Sequence, residues 1–305
     1  MYHSATRAVG REKWATARRV GSSSTSQPPE TSYGTGEELL RLRIGTANIG
    51  SMSGRSGEVI DMVQRRGLDF CCLQETRWKG GSARMLGDYK FFWKGCKEGL
   101  AGVGMLVGKR WVDNVMEVKR VSERILTIRV RVGMKILNLV SVYAPQVGRA
   151  RAEKEEFYER LFEVVSAIND KESLLLCGDL NGHVGQRMEG FGGVHGGFGF
   201  GSRNSEGERI LEFAESLSLS IANTWFKKKD KLLVSYDSGG NKSVVDYVLV
   251  RAGERTIIRD VKVIINEPCI TQHKLMICTI DWKDKSPKHK KAFRKQVQNL
   301  EIKRR

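Results

Sequence analysis

Between Leu40 and Asp281 the chain is a succession of short apolar runs of strand length, and polar residues stand repeatedly where those runs end. Helical spacing occurs in few stretches between them, so the chain must bury many strands with little helix to cover them. The strand candidates are Leu42–Ala47, Leu68–Leu73, Tyr89–Trp93, Val103–Val107, Ile125–Val132, Lys135–Tyr143 and Leu174–Cys177, followed by Ser220–Ala222, Leu232–Ser235, Val244–Val250, Ile257–Ile265 and Leu275–Ile280. Glu58–Arg66 reads as a helix stopped by Gly67. Glu153–Ile168 places Phe157, Leu161, Val164, Val165 and Ile168 on one stripe, and Glu206–Leu217 does the same with Ile210, Leu211, Ala214 and Leu217. Gly185–Gly201 is glycine-rich and reads as a long loop. About ten strands against three helices, with few helices directly after strands, predict an α/β fold of two packed sheets with helices outside. No internal repeat is seen.

The flanks differ in composition. Residues 1–38, with Gly21-Ser22-Ser23-Ser24 and Pro28-Pro29, lack periodicity and are expected to be a disordered lead-in. The folded domain is placed at 39–282. Residues 283–305 hold ten basic and two acidic residues, nearly half of the formal net charge of +17, and are expected to be a basic tail too charged to pack. A polyanion partner fits that charge, although a solvated end or a nuclear-localisation patch fits it too. No run of eighteen apolar residues exists, so no transmembrane helix and no membrane partner are expected. The N-terminus has no apolar core of a secretory signal. Six cysteines without a Cys-x-x-Cys pair exclude a disulfide scaffold and a zinc ribbon. Cys71, Cys72, Cys177 and Cys278 lie in apolar runs and read as buried, reduced thiols, which predicts an intracellular, nuclear protein.

The chemistry-bearing residues sit where strands end: Asn48, Glu75, Tyr143, Asp179 with Asn181, Asp246 within Val244–Val250, and His273 before the last strand. Strand ends are rigid, so their side chains can be aimed at one point. Each also has a simpler reading. Asp179-Leu180-Asn181-Gly182 is an ordinary turn sequence, Glu75 has Arg77 nearby as an ion-pair partner, and a single histidine is more often structural. His183 and His195 read as plain loop residues. Asp246 is different, because a carboxylate inside an apolar run needs a partner. Taken together the set supplies what metal-assisted phosphodiester hydrolysis needs. Glu75 offers a carboxylate to a hard cation, and Asn48 can place the metal or its carboxylate. Asp179 can deprotonate a water. Asn181, a protonated His273 and the Tyr143 hydroxyl can donate to phosphate, with Asp246 holding the imidazolium.

Gly45-Thr46-Ala47-Asn48, Leu73-Gln74-Glu75-Thr76, Val142-Tyr143-Ala144-Pro145, Gly178-Asp179-Leu180-Asn181, Val245-Asp246-Tyr247 and Gln272-His273 stand in the order of the endonuclease/exonuclease/phosphatase superfamily, which the chain resembles over about residues 40–281. Within it the chain is most similar to the endonuclease domains of non-LTR, RTE-like retrotransposons and to craniofacial development protein 2-like proteins. Arg77-Trp78-Lys79-Gly80, Ala144-Pro145-Gln146-Val147, Asn181-Gly182-His183-Val184-Gly185, Arg203-Asn204 and Phe226-Lys227-Lys228-Lys229 carry that closer resemblance. It implies a four-layer α/β sandwich and a Mg²⁺-dependent endonuclease, Mn²⁺ being the alternative ion, that nicks duplex DNA. It also implies Glu75 and Asn48 at the metal, Asp179 on the water, Asn181 and Tyr143 on the phosphate, and Asp246–His273 as a charged pair. Gln272 stands where the superfamily usually has Asp beside the metal and cannot supply that charge. The retroelement branch often carries Gln-His as well. A change of this kind beside a metal site lowers activity by about 10–100-fold.

Lys227, Lys228 and Lys229, after Trp225-Phe226 and between two predicted strands, read as a basic hairpin tip for DNA phosphates, with Arg203 and Asn204 facing the same groove. The competing reading is a solvated turn. Gly190-Phe191-Gly192-Gly193 lacks the following lysine and is not a P-loop. Phosphate contacts predict salt-dependent binding with limited sequence preference. Two rival functions remain: a catalytically weakened DNA- or chromatin-binding module of the same fold, and a phosphatase acting on a small phosphorylated molecule. A retroelement protein is expected to continue into a reverse transcriptase, so a truncated element copy is a further expectation.

Overall fold

A computed structural model describes residues 38–268 and 272–284. The expectations for the lead-in, for most of the basic tail and for Thr271 therefore lie outside the described residues. Along the chain the first half runs β1 (Glu38–Asn48), α1 (Ser56–Arg65), β2 (Phe70–Gln74), β3 (Gly81–Leu86), β4 (Tyr89–Lys94), β5 (Val103–Gly108), α2 (Lys109–Val112), β6 (Val115–Ser122), β7 (Ile125–Val132) and β8 (Lys135–Tyr143). The second half runs α3 (Arg151–Ser166), β9 (Ser173–Asp179), α4 (Ser205–Ser216), β10 (Leu219–Ile221), β11 (Tyr236–Ser238), β12 (Asn241–Ser243), β13 (Asp246–Arg251), β14 (Ile258–Val263) and β15 (Met276–Asp284).

Among the described residues the strands form a seven-stranded sheet, β14-β15-β1-β2-β5-β4-β3, a six-stranded sheet, β10-β13-β9-β8-β7-β6, and the small β11-β12 hairpin. The inner strands of both large sheets, such as β2, β5 and β9, are buried on two faces, which is why they read as continuous apolar runs. One core lies between them, with Leu42, Ile44, Phe70 and Met105 from one side and Ile128, Leu139, Leu175 and Val248 from the other. Outside the seven-stranded sheet α1 lays down Val59, Met62 and Val63. Outside the six-stranded sheet α3 and α4 lay down Phe157, Leu161, Ile210 and Leu211. The result is four layers, helix–sheet–sheet–helix, as the apolar pattern predicts. Each of these fully buried side chains contributes roughly 1.5–3 kcal/mol.

Each large sheet holds one parallel pair among antiparallel neighbours: β1 with β2, joined through α1, and β8 with β9, joined through α3. Crossover helices of this kind leave the carboxyl ends of both parallel strands on the same edge, where ligands bind in open α/β sheets. The loop after α1 is set by its sequence. Gly67 adopts φ +57°. Its N–H bonds the Gln64 carbonyl at 2.9 Å and Leu68 N–H bonds that of Val63 at 3.0 Å, the paired pattern of a glycine helix stop.

Four expectations are corrected. Leu232–Ser235 is not a strand but follows a 3-10 turn over Asp230–Leu232. The Lys227–Lys229 segment therefore lies between two 3-10 turns and is not a hairpin tip. Strands β3, β6, β11 and β12 and the short helix α2 are additional to the predicted set. Asp246 does not sit inside a strand but opens β13. Among the described residues no helix is long and apolar enough to cross a membrane.

Candidate active site

Register alone assembles half of the site. Tyr143 at the end of β8 is the partner of Asp179 at the end of β9, and Asp179 is the partner of Asp246 at the start of β13. Three chemistry-bearing side chains thus stand in one row across adjacent strands. The facing sheet adds Asn48 from the end of β1 and Glu75, which follows β2 directly. His273 arrives from the segment before β15, fixed by a bridge to Tyr236. Its ring meets the Tyr236 ring edge-on at 4.9 Å.

The side chains close into one network. Asn48 Nδ2 donates to Glu75 Oε1 at 2.9 Å and to Asp179 Oδ2 at 3.1 Å, so it ties the two sheets together across the cleft. The Tyr143 hydroxyl donates to Glu75 Oε1 at 2.8 Å, and Arg77 donates to Glu75 Oε2 at 3.0 Å. His273 Nδ1 lies 3.0 Å from Asp246 Oδ2, and its Nε2 lies 3.7 Å from Asp179 Oδ2. Asn181 takes φ +48°. In that conformation its N–H bonds Asp179 Oδ1 at 3.0 Å and its side-chain amide bonds the Ala144 carbonyl at 2.8 Å. The turn expected at Asp179–Asn181 and the Arg77 pairing of Glu75 are thus both present, and Asp179, Asn181 and Glu75 all line one cleft.

Burial and charge set the protonation states. Burial, then the nearby Asp246 charge, push the Asp179 carboxyl up to about 7. Burial opposes a charge on His273, but Asp246, with Asp179 and Glu75 behind it, outweighs that and raises it to about 9. Burial also works against the Glu75 carboxylate, yet the bonds from Asn48, Tyr143 and Arg77 together hold it below the usual range. Burial and Glu75 keep the Tyr143 phenol protonated.

A hard cation suits this donor set. Three carboxylates face two cationic side chains, and Asp246 Oδ1 is buried with no hydrogen-bond partner among the described residues. Ligand atoms of Asp179, Asp246 and His273 lie within 4.8 Å of one another. The short contact between His273 Nδ1 and Asp246 Oδ2 already uses an atom on each, so these two form a charged pair. Glu75 remains the carboxylate donor for a divalent ion, with the buried Asn48 beside it, whose Oδ1 accepts from Gly50 N–H at 3.1 Å. The cleft has a volume of about 540 Å³ and also takes in Arg55, Gln146, His183 and Tyr236. Only the position of Gln146 and His183 inside quoted motifs signalled any of these.

Gln272 lines the same cleft but is exposed, and its amide donates to Ser238 Oγ at 3.3 Å on the β11–β12 hairpin. The other expected residues lie outside the cleft lining. Arg203 spends its guanidinium on the carbonyls of Val184, Arg187 and Glu189, clamping the glycine-rich loop. Asn204 caps α4, its Oδ1 accepting from Gly207 N–H and His183 N–H at 2.8 Å each. Trp225 lies under the Arg255 guanidinium at 3.7 Å. Lys228 is ion-paired with Asp260. Lys227 and Lys229 are exposed.

Two mixed sheets flanked by helices, with a carboxylate-rich cleft at the carboxyl ends of their parallel strands, define the endonuclease/exonuclease/phosphatase class. The chain belongs to that family, whose profile matches residues 45–263. Members are phosphodiesterases and nucleases, in general dependent on a divalent metal. Among relatives, craniofacial development protein 2 of Bos taurus is 28% identical over 257 residues, covering 82% of this chain and 43% of the relative. The Transposon TX1 uncharacterized 149 kDa protein of Xenopus laevis is 29% identical over 157 residues, covering 47% of this chain and 11% of the relative. The chain thus spans less than half the length of these relatives. Among solved structures, the endonuclease domain of TRAS1, a telomere-specific non-LTR retrotransposon, superposes with a TM-score of 0.58 at 16% identity, over 79% of this chain and 99% of that one. The Xenopus laevis APE2 catalytic domain superposes with a TM-score of 0.62 at 13% identity, over 80% and 93%.

Proposed function

We propose that the chain is a divalent-metal-dependent phosphodiesterase, with Mg²⁺ or Mn²⁺ as the ion, that nicks duplex DNA, and that it derives from a non-LTR retrotransposon endonuclease. The observation that carries the reading is the register row Tyr143–Asp179–Asp246, joined to Glu75 on the facing sheet through Asn48 and the Tyr143 hydroxyl, with His273 held on Asp246. A net charge of +17 supports a polyanionic substrate, a nuclear location and contacts made mainly to phosphates. The name of one structural neighbour, the endonuclease domain of the TRAS1 retrotransposon, points the same way.

A cation held by Glu75 and Asn48 would offset charge on a phosphate oxygen. Asp179, with a carboxyl near 7, is matched to taking a proton from water at neutral pH. Its Oδ1 accepts from Asn181 N–H, and its Oδ2, which accepts from Asn48 Nδ2 at 3.1 Å and lies 3.7 Å from His273 Nε2, would be the edge that takes the proton. His273, charged at neutral pH and held by Asp246, faces the phosphate as a hydrogen-bond donor through Nε2. The second N–H of the Asn181 amide is a further donor, and the Tyr143 hydroxyl, whose one hydrogen is on Glu75 here, would join them only by turning from that carboxylate.

The test is supercoiled-plasmid nicking in Mg²⁺ and in EDTA. Wild type is expected to nick in Mg²⁺ alone, and Asp179→Asn to lose about 10²–10⁴ in rate. DNA binding with intact supercoils would instead support the weakened binding module. Hydrolysis of phosphoinositides without nicking would support the small-molecule phosphatase.

A further inference from the structure

The network around Glu75 includes one cation for which the hydrolytic reading has no task. Arg77 holds Glu75 Oε2 at 3.0 Å, while Asn48 and Tyr143 share Oε1. The Arg77 side chain is half exposed and lines the cleft.

Its placement is built into the backbone. Glu75 and Arg77 have φ of +51° and +52°, a conformation that side chains other than Gly, Asn and Asp rarely adopt. Such residues persist where their surroundings over-determine them. Here Thr76 N–H bonds the Gly102 carbonyl at 3.0 Å, and the Thr76 carbonyl accepts from Met52 N–H at 2.9 Å. Behind them is a wall of glycines. A Cβ at Gly102 would stand 2.5 Å from Thr76 Oγ1, at Gly99 3.2 Å from the Arg77 carbonyl, and at Gly95 1.7 Å from the Trp78 carbonyl. Pressed against that wall, the chain turns back on itself and returns the Arg77 guanidinium to the carboxylate two residues earlier.

A guanidinium and a divalent ion are both positive, and both are drawn to the Glu75 carboxylate. The Arg77 end of this ion pair is half open to solvent, although Glu75 is mostly buried, so the guanidinium can swing away while staying hydrated. Once released it stays in the cleft, where its planar fork matches a phosphate. We propose that Arg77 is a counter-ion that changes partner: it neutralises Glu75 in the cation-free protein and grips a phosphate of the bound strand once the cation takes Glu75. The proposal rests on reading the site as a cation-dependent phosphodiesterase.

The test uses the full chain with Arg77→Asn and Arg77→Lys. Asn tolerates positive φ, so the first variant keeps the turn, and Lys keeps the charge. Mn²⁺ affinity is read from the electron-spin resonance signal of the free ion. Arg77→Asn is expected to bind Mn²⁺ about two- to fivefold more tightly than wild type, and Arg77→Lys within about twofold of it. Duplex binding is then measured in an Asp179→Asn background, so that the DNA stays intact. With Mn²⁺ present, adding Arg77→Asn is expected to flatten the plot of log affinity against log salt by about one unit. In EDTA the two proteins are expected to have the same slope. Mn²⁺ affinity that is unchanged or weaker in Arg77→Asn, or an unaltered slope in Mn²⁺, overturns the proposal while wild-type nicking leaves the hydrolytic reading standing. Failure of wild type to bind Mn²⁺ at all overturns both.

Discussion

Asp246 is fully buried, and only its Oδ2 is bonded, to His273. A carboxylate in that position is tolerable when it keeps a charged partner and costly when it does not. The two side chains should therefore act as one unit. Asp246→Asn and His273→Gln are each expected to slow plasmid nicking by about 10²–10⁴, and the double variant by no more than about tenfold beyond the worse single one. Losses that multiply would show that the pair is not a unit. Gln272 gives the opposite expectation. Its amide faces Ser238, so Gln272→Ala should change the nicking rate by less than about threefold. A loss of 10–100-fold would place it beside the metal after all. At this scale the sequence was informative where a polar residue closes an apolar run, since strand ends in a packed sheet can point to few places. It was uninformative about Arg203 and Asn204. Their donors and acceptors are absorbed by backbone groups of a glycine-rich loop, and no residue pattern displays which carbonyls such a loop leaves unpaired.

The elements divide by the same logic. Strands buried on both faces and helices with one apolar stripe were legible, and so was the Gly67 stop. Strands β3 and β6 were not, because each forms an edge of its sheet and has no fully buried residue, so neither shows a sustained apolar run. The glycine-rich loop between β9 and α4 was legible as a loop, but not its fastening. His195 is fully buried there, its Nε2 bonding the Gly185 carbonyl at 3.1 Å and its Nδ1 accepting from Gly197 N–H at 3.0 Å. That pattern requires the neutral ring, and burial lowers its affinity for a proton below the usual histidine value. The unfolded chain then binds the proton more tightly. The stability from His195 is complete above about pH 6.5 and is lost as pH falls through the lower folded-state value. Urea midpoints are expected to fall more between pH 7.5 and pH 5 in wild type than in His195→Gln, and equal falls would count against this account. Asn204→Ala removes the α4 cap and the tie to His183 together, and is expected to cost about 1–2 kcal/mol in urea unfolding.

For the molecule as a whole, the site depends on a topology that no single element reveals. Each sheet has its own parallel pair, and the four carboxyl ends supply Asn48, Glu75, Tyr143 and Asp179 to one cleft. Element type was legible from spacing. The order of strands was not, because it is fixed by which apolar faces meet across the sandwich. Charge is distributed differently from chemistry. All the named site residues lie between Asn48 and His273, whereas residues 285–305 carry nine basic residues and one acidic residue. The last strand, β15, ends at Asp284, paired with Glu38 at the start of β1. Deleting residues 285–305 should therefore leave the fold and the cleft intact while removing cations that can release counter-ions from DNA. The truncated chain is expected to melt at the same temperature and to bind duplex more weakly, with a flatter salt dependence. Its nicking rate at saturating DNA and low salt is expected to stay within about threefold of the full chain, since no group at the reacting phosphate has been removed. A truncated chain that binds as well as the full one would assign the electrostatic grip to the folded domain. One that binds but no longer nicks would place a tail residue at the cleft.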